Sequence, residues 1–182
     1  PDAFCSTLVN DCLLRGKSIK EGGAVYDVIS GPFSGLANVA NSLVTIKKMI
    51  YEDQSISWSK LLSALQDNFE DLSHQTLLKK ITEELPKYGT DDDYADQLAC
   101  RVMEDYLNEL KKYKNTRYNR GPIGSNYCGS TSNISANVPS GQVIGATPDG
   151  RKAFEPIAEG VSPFYSTERK GPTAVLKSVS KL

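Results

Sequence analysis

A single histidine, His74, and four widely separated cysteines, Cys5, Cys12, Cys100 and Cys128, leave this 182-residue chain short of material for several common kinds of site. No Cys-x-x-Cys pair occurs, so neither a disulfide framework nor a zinc centre assembles at the usual ligand spacings. A net charge of -1 and a pI near 5.9 remove the long-range attraction to polyanions on which nucleic-acid binding depends. No apolar run approaches the roughly 18 to 20 residues of a membrane span, and no charged-then-apolar leader opens the chain. Internal repeats and low-complexity linkers are missing too. These absences point to a reduced cytoplasmic protein with no membrane and no nucleic acid among its partners.

What is present is helical periodicity. Phe4, Leu8, Val9, Cys12 and Leu13 read as one helix stopped by Gly16. Leu36, Val39, Ala40, Leu43, Ile46 and Ile50 form a second apolar stripe. Ser57 reads as the N-cap of a helix carrying Trp58, Leu61, Leu62, Leu65 and Phe69. Leu77, Leu78, Ile81 and Leu85 form the next, ended by Pro86. Asp91, Asp92 and Asp93 open the longest, whose face is Ala95, Leu98, Ala99, Val102, Tyr106 and Leu110. Ala174, Val175, Leu176, Val179 and Leu182 make a last stripe that the chain abandons at its final residue. With a first core element so close to Pro1, both ends are expected to be cuts in a longer polypeptide.

Beyond Asn115 the composition turns to glycine, proline, serine, threonine and asparagine. Only Thr131 to Val138 and Gln142 to Ala146 suit strands there, with an earlier strand at Ala24 to Ile29. Isolated strands among helices fit a crossover α/β arrangement, of which three strands are only a part. The densest punctuation is Gly145-Ala146-Thr147-Pro148-Asp149-Gly150-Arg151, a fixed turn, and Gly171-Pro172-Thr173-Ala174-Val175 is a second joint.

Each candidate chemistry has a plainer reading. Asp91 to Asp93 lack the later oxygen ligands and sixth-position glycine of a calcium loop, and read as helix-start electrostatics. Lys111 to Arg120, with Tyr113 and Tyr118, read as a basic helix C-terminus. His74, with no spaced ligand partner, reads as a surface residue. Cys5, Cys12 and Cys100 fall in apolar helical patterns and read as packing residues, while Cys128 sits in the polar run Gly121 to Ser130, read as a loop. Gly121-Pro122-Ile123-Gly124-Ser125 lacks the spaced glycine and lysine of a phosphate-binding loop. On spacing alone no active site assembles.

Taken in order, several motifs resemble the late part of the large barrel domain of glycyl radical enzymes, the pyruvate formate-lyase superfamily. They are Asp11-Cys12 with Arg15-Gly16-Lys17, Gly22-Gly23-Ala24 with Tyr26, Gly35-Leu36-Ala37-Asn38-Val39 with Ser42-Leu43 and Ile46-Lys47-Lys48, Pro86-Lys87-Tyr88-Gly89 before Asp91-Asp92, Gly145 to Arg151, and Gly171 to Leu182. The wording is nearest the glycerol or diol dehydratase and lyase branches. The chain departs from the pattern in three places. Asn41 stands where the family often has aspartate, Thr90 replaces a usual asparagine, and Ser166-Thr167-Glu168 replaces a common Gly-x-Asp turn.

The resemblance implies a partial ten-stranded α/β barrel, with residues 1–182 forming the C-terminal portion of the barrel domain. It implies a protein glycyl radical, installed by an activating enzyme that uses S-adenosylmethionine and an iron-sulfur cluster, and a cysteine that receives the unpaired electron. The family's Gly-Cys-x-Glu and Arg-Val-x-Gly-Tyr loops do not occur here, so no catalytic residue and no bound cofactor or metal is assigned to this chain. Its expected partners are the rest of its own polypeptide, the activating enzyme and a second subunit. In the family, the strand before the Thr-Pro-Asp-Gly-Arg-like turn lines the substrate cavity. Here that implies substrate-facing Ser132, Ile134 and Ala136, or the opposite set Asn133, Ser135 and Asn137, the first being preferred. Thr147, Asp149, Gly150 and Arg151 are expected to pin the turn. The expected activity is radical dehydration or C–X or C–C cleavage of a small substrate by the parent enzyme, this chain being inert alone. Rival expectations are a radical decarboxylase, a formate-lyase, or a non-catalytic helical interaction module.

Overall fold

The apolar stretch at the start of the chain forms two short helices, α1 (Ala3–Leu8) and α2 (Cys12–Arg15), where periodicity reads one. The break lies at Val9, which is extended, and Asp11, held at a left-handed φ of 72°. Aspartate and asparagine tolerate that region because their short side chains bond locally. Asp2 caps α1 by accepting from the Cys5 N–H at 3.2 Å. Gly16 closes α2 at φ 60°. This is a computed structural model, and it describes residues 2–113, 123–130 and 135–182.

By its internal contacts the chain divides into two units, residues 1–31 with 106–130, and residues 32–105 with 131–182. In the first, β1 (Tyr26–Pro32) pairs with β2 (Ile123–Ser130). β1 corresponds to the strand expected at Ala24 to Ile29, whereas β2 occupies the run read as a loop. Arg15 ties the approach to β1, its Nη1 donating to the carbonyls of Gly23 at 3.2 Å and Ala24 at 3.0 Å. The Tyr106 hydroxyl donates to the Gly31 carbonyl at 2.8 Å. Cys12 is buried, but Cys5 is exposed, so the packing role read for Cys5 is corrected: the early end of α1 turns it outward.

The second unit is helical. α3 (Leu36–Thr45) continues as a π-helical turn, Ile46–Glu52. Small residues on α3 allow close approach, and Leu36, Ala37, Ala40 and Val44 are fully buried. α4 (Trp58–Gln66) is capped by Ser57, whose Oγ accepts from the Lys60 N–H at 3.2 Å. Phe69 does not extend α4. It lies beyond the helix at φ 59° and fills the core formed by Met49, Ala64, Leu77 and Ile81. Burial of each such large side chain contributes about 1.5–3 kcal/mol.

His74 lies near the start of α5 (Leu72–Glu83), and the surface reading fails: its side chain is only 12% exposed and its Nδ1 lies 2.6 Å from Asp67 Oδ2. Desolvation raises the Asp67 pKa, but its hydrogen bond to His74 and those from the Asp71 and Phe69 N–H groups leave it lowered.

The longest helix, α6 (Asp93–Leu110), begins as its three aspartates suggest. Two of them, Asp91 and Asp93, have a second use together with Asp96, since Lys181 Nζ sits 3.1, 2.8 and 2.7 Å from Asp91, Asp93 and Asp96. The Ser178 hydroxyl donates to Asp96 at 2.9 Å and accepts from the Asp91 N–H at 2.9 Å. Together these fasten the last helix, here called α8 (Pro172–Val179), to the beginning of α6.

Two strand readings are overturned. Asn137–Gln142 form α7, and Ser135 and Ala136 lie in the preceding turn, so the expected strand Thr131 to Val138 is not extended at 135–138. Its first part, 131–134, lies outside the described residues. Pro139 falls in the first turn of α7, where a missing N–H costs nothing. A side chain at Gly141 would collide with the Glu155 carbonyl, so only glycine lets α7 pack there. The strand read at Gln142 to Ala146 is also absent, because the Ile144 and Gly145 carbonyls bond to Arg151 instead of a neighbouring strand. Among the described residues no helix is long and apolar enough to cross a membrane.

Candidate functional site

The Thr147 to Arg151 turn is built from inside. Gly150 donates its N–H to the Thr147 carbonyl at 3.0 Å, at a φ of 96° that suits glycine. Arg151 is fully buried. Its Nη1 donates to the carbonyls of Lys152 at 2.9 Å and Glu155 at 2.8 Å, and its Nη2 to Ile144 at 3.3 Å and to Gly145. The guanidinium thus binds four main-chain oxygens and leaves only its buried Nε without a partner. Burial pushes its pKa down, opposed by the charges of Asp149 and Glu155.

Asp149 is 4% exposed and extends the same network toward α3. Its Oδ2 accepts from Asn38 Nδ2 at 2.7 Å, and its Oδ1 from the Thr147 hydroxyl at 2.5 Å and the Arg151 N–H at 3.4 Å. Asn38 completes the link by accepting from the Ala158 N–H at 2.7 Å, while Gly35 donates to the Ala158 carbonyl at 2.9 Å. One turn further along α3, Asn41 Oδ1 accepts from the Tyr88 N–H at 2.9 Å. The Tyr88 hydroxyl donates to the Val161 carbonyl at 2.8 Å. Burial raises the Tyr88 pKa, with Asp96 and Cys100 adding to it.

Lys87 sits beside this network and is 7% exposed. Its Nζ reaches the Asp149 main-chain oxygen at 3.5 Å, a long contact for an ammonium. Burial, opposed by Asp149 and aided by Arg169, pushes its pKa down to about 8. Two adjoining cavities, of about 200 and 250 Å³, share Thr82, Lys87, Thr167 and Arg169 as lining. Asn41 and Asp149 line the first. Among the described residues no cluster of histidine, cysteine, aspartate and glutamate is arranged to hold a metal ion.

Of the positions put forward as substrate-facing, Ser132 and Ile134 lie outside the described residues. Ala136 is half-buried with helical backbone (φ −94°, ψ −17°). In the opposite set, Asn133 is likewise undescribed, Ser135 is exposed in the turn, and Asn137 is 2% exposed. Asn137 Nδ2 donates to the Tyr165 hydroxyl at 2.6 Å and to Glu159 at 3.3 Å. Thr147, Asp149, Gly150 and Arg151 come together in the turn described above. Lys87 was missed as a site residue; the only signal for it was its place between Pro86 and Tyr88-Gly89, a chain reversal in which a lysine has no outward helical face.

Comparison with known proteins adds the frame. The family described as pyruvate formate lyase-like matches residues 1–141. A probable dehydratase of Escherichia coli, YbiW, is 52% identical over 181 residues, covering 100% of this chain and 22% of that protein. The solved structure of a Roseburia inulinivorans protein, studied for 1,2-propanediol dehydration, superposes with a TM-score of 0.84 at 42% identity, over 97% of this chain and 22% of that one. A glycyl radical enzyme from Archaeoglobus fulgidus superposes with a TM-score of 0.84 at 34% identity, over 100% of this chain and 22% of that one. The chain therefore spans about a fifth of the length of the relatives it matches, at 22%. With the greater part of its length inside the family match and its backbone following these relatives from end to end, the chain belongs to the pyruvate formate lyase-like family.

Proposed function

We propose that this chain is part of the catalytic subunit of a glycyl radical enzyme of the dehydratase or lyase type, acting on a small substrate such as a diol or substituted alkane. The observation that carries this reading is the continuous match to a dehydratase-related protein and a glycyl radical enzyme across nearly all of the chain, at TM-scores of 0.84. The glycine that stores the radical and the cysteine that abstracts hydrogen belong, in this reading, to other segments of the polypeptide. No cysteine here is followed two residues later by glutamate, and no Arg-Val-x-Gly-Tyr run occurs. The chain alone is inert.

The chemistry assigned to the whole enzyme is balanced without an external oxidant. The cysteine thiyl takes a hydrogen atom from a substrate carbon, giving S–H and a carbon radical. In a dehydratase the adjacent carbon then loses hydroxide, which leaves as water with a proton supplied in the site, while the hydroxyl on the radical carbon gives its proton back to the site and becomes the carbonyl. The thiol then returns its hydrogen atom to the resulting product radical. Such a radical needs a dry, rigid enclosure. The part proposed for this chain is rigidity: the Arg151 and Asp149 network holds the turn that follows the substrate-facing segment. Ser132, Ile134 and Ala136 remain the proposed substrate-facing positions, Ala136 from a turn and not from a strand. A ten-stranded barrel, a second subunit, a cytoplasmic location and an S-adenosylmethionine-dependent activating enzyme complete the proposal.

The test is anaerobic activation of the full-length polypeptide by its activating enzyme, followed by electron paramagnetic resonance and product analysis with 1,2-diols. A glycyl doublet together with aldehyde formation supports the reading. A polypeptide lacking both the Gly-Cys-x-Glu and the glycine loops, or one that acquires no radical, refutes it; a doublet with carbon dioxide as product replaces dehydratase with decarboxylase.

A further inference from the structure

We propose that the Lys87 cavity is a binding site for a small oxyanion, a phosphate, sulfonate or carboxylate group. This proposal does not depend on the radical reading.

The argument begins with an ammonium that has lost its water and gained little in return. Lys87 is more than nine-tenths buried, lines both adjoining cavities, and has one hydrogen-bond acceptor at 3.5 Å. An ammonium offers three N–H donors, so two are left for the cavity. The nearby carboxylate does not satisfy them. Both oxygens of Asp149 are already committed, Oδ2 to Asn38 and Oδ1 to Thr147 and the Arg151 N–H. What reaches Lys87 from Asp149 is a main-chain oxygen and a partly compensating field.

The other polar groups on the inner wall are donors or already in use. Arg169 adds a second cation to both cavities. Asn41 has given its Oδ1 to the Tyr88 N–H, and what it has left to offer the cavity is its NH2. The Thr82 and Thr167 hydroxyls donate locally, to Leu78 at 2.9 Å and Phe164 at 2.7 Å. Two cations and an amide donor facing one committed carboxylate call for an acceptor-rich, negatively charged guest. The outer cavity carries Glu83, Glu84 and Asp92 against Lys170, which confines the anion to the inner chamber. At about 200 Å³ that chamber suits a small anion better than a drug-sized ligand.

Asn41 supplies the sharpest test, because it lines the same chamber as Lys87 and its amide can be made a carboxylate without loss of shape. Asn41→Asp keeps the acceptor for Tyr88 and replaces the amide donor with a carboxylate beside Lys87. Calorimetric titration of the full chain with inorganic phosphate, methanesulfonate and acetate in a non-coordinating buffer, with chloride as ionic-strength control, is expected to give saturable one-to-one binding of at least one oxyanion. Asn41→Asp and Lys87→Met each weaken it at least about tenfold; Arg169→Gln, at an exposed position, weakens it less. Circular dichroism checks that the variants remain folded. The best of the three ligands names the group recognised. No saturable binding to the wild-type chain, binding no different from chloride, or affinity unchanged in both Asn41→Asp and Lys87→Met overturns the proposal.

Discussion

Replacing Arg151 by methionine removes the one side chain that holds four carbonyls in place, and the structure sets the size of the loss. A hydrogen bond from a charged group contributes about 1.5–3 kcal/mol net, and an acceptor left buried without a donor costs about 1–3 kcal/mol. The oxygens of Gly145 and Glu155 lose their donor, while those of Ile144 and Lys152 keep only long bonds of 3.4 Å from the Phe154 and Glu155 N–H groups. Some will find water as the turn relaxes, and methionine refills most of the apolar volume. Taking about half of the four as truly stranded gives a loss of about 3–5 kcal/mol, the range found when a buried charged network is broken. For a chain of this size that corresponds to a melting temperature lower by about 8–16 °C. Urea unfolding followed by the fluorescence of Trp58, the sole tryptophan, reports on the unit that contains Arg151. The midpoint should fall with the slope unchanged. Arg151→Lys should recover only part of the loss, because an ammonium cannot reproduce the planar fork. If Arg151→Met unfolds within about 1 kcal/mol of the wild type, the guanidinium is not what holds the turn.

Two further outcomes follow from backbone and burial. Lys87 titrates at about 8 in the folded chain against an ordinary 10.5, so between those values the unfolded chain binds more protons and stability rises with pH. The destabilisation, about 3 kcal/mol, is fully present below about 8 and relieved as the pH climbs toward 10.5. The stability of wild type minus Lys87→Met, measured by urea unfolding between neutral and mildly alkaline pH, should therefore become less negative; a flat difference refutes the burial of a charged lysine. Ser166 is held at a left-handed φ of 61°, a conformation that favours glycine. Ser166→Gly should relieve about 1–2 kcal/mol of strain, offset by glycine's greater chain entropy, for a net gain of about 0.5–1 kcal/mol and a slightly higher melting temperature; a lower one refutes it.

The helices of the second unit were legible because their apolar positions recur at helical spacing, and Ser57 announced the start of α4. Local signals failed where one residue's backbone overrides a pattern. Asp11 splits the first helix through its left-handed conformation, and Phe69 has an apolar side chain in helical register but joins the core from outside the helix. β2 was hidden by glycine and serine, which carry little strand propensity, so its pairing with β1 depends on tertiary context. α7 went unread because the strands expected at Thr131 to Val138 and Gln142 to Ala146 took its two ends, and the Pro139 and Gly141 between them read as punctuation and not as helix. The site was legible only in part. The dense turn at Gly145 to Arg151 stood out, but its partners Asn38 and Lys87 lie 111 and 62 residues away, beyond the reach of spacing arguments.

Arg151 also bears on how the surrounding segment can vary. Every acceptor it holds is a main-chain oxygen, a group that all amino acids share. The grip is therefore blind to the side chains at 144, 145, 152 and 155. A single intolerant position insulates its neighbours, leaving the turn's outer surface free to diverge among relatives while the path of the chain stays the same.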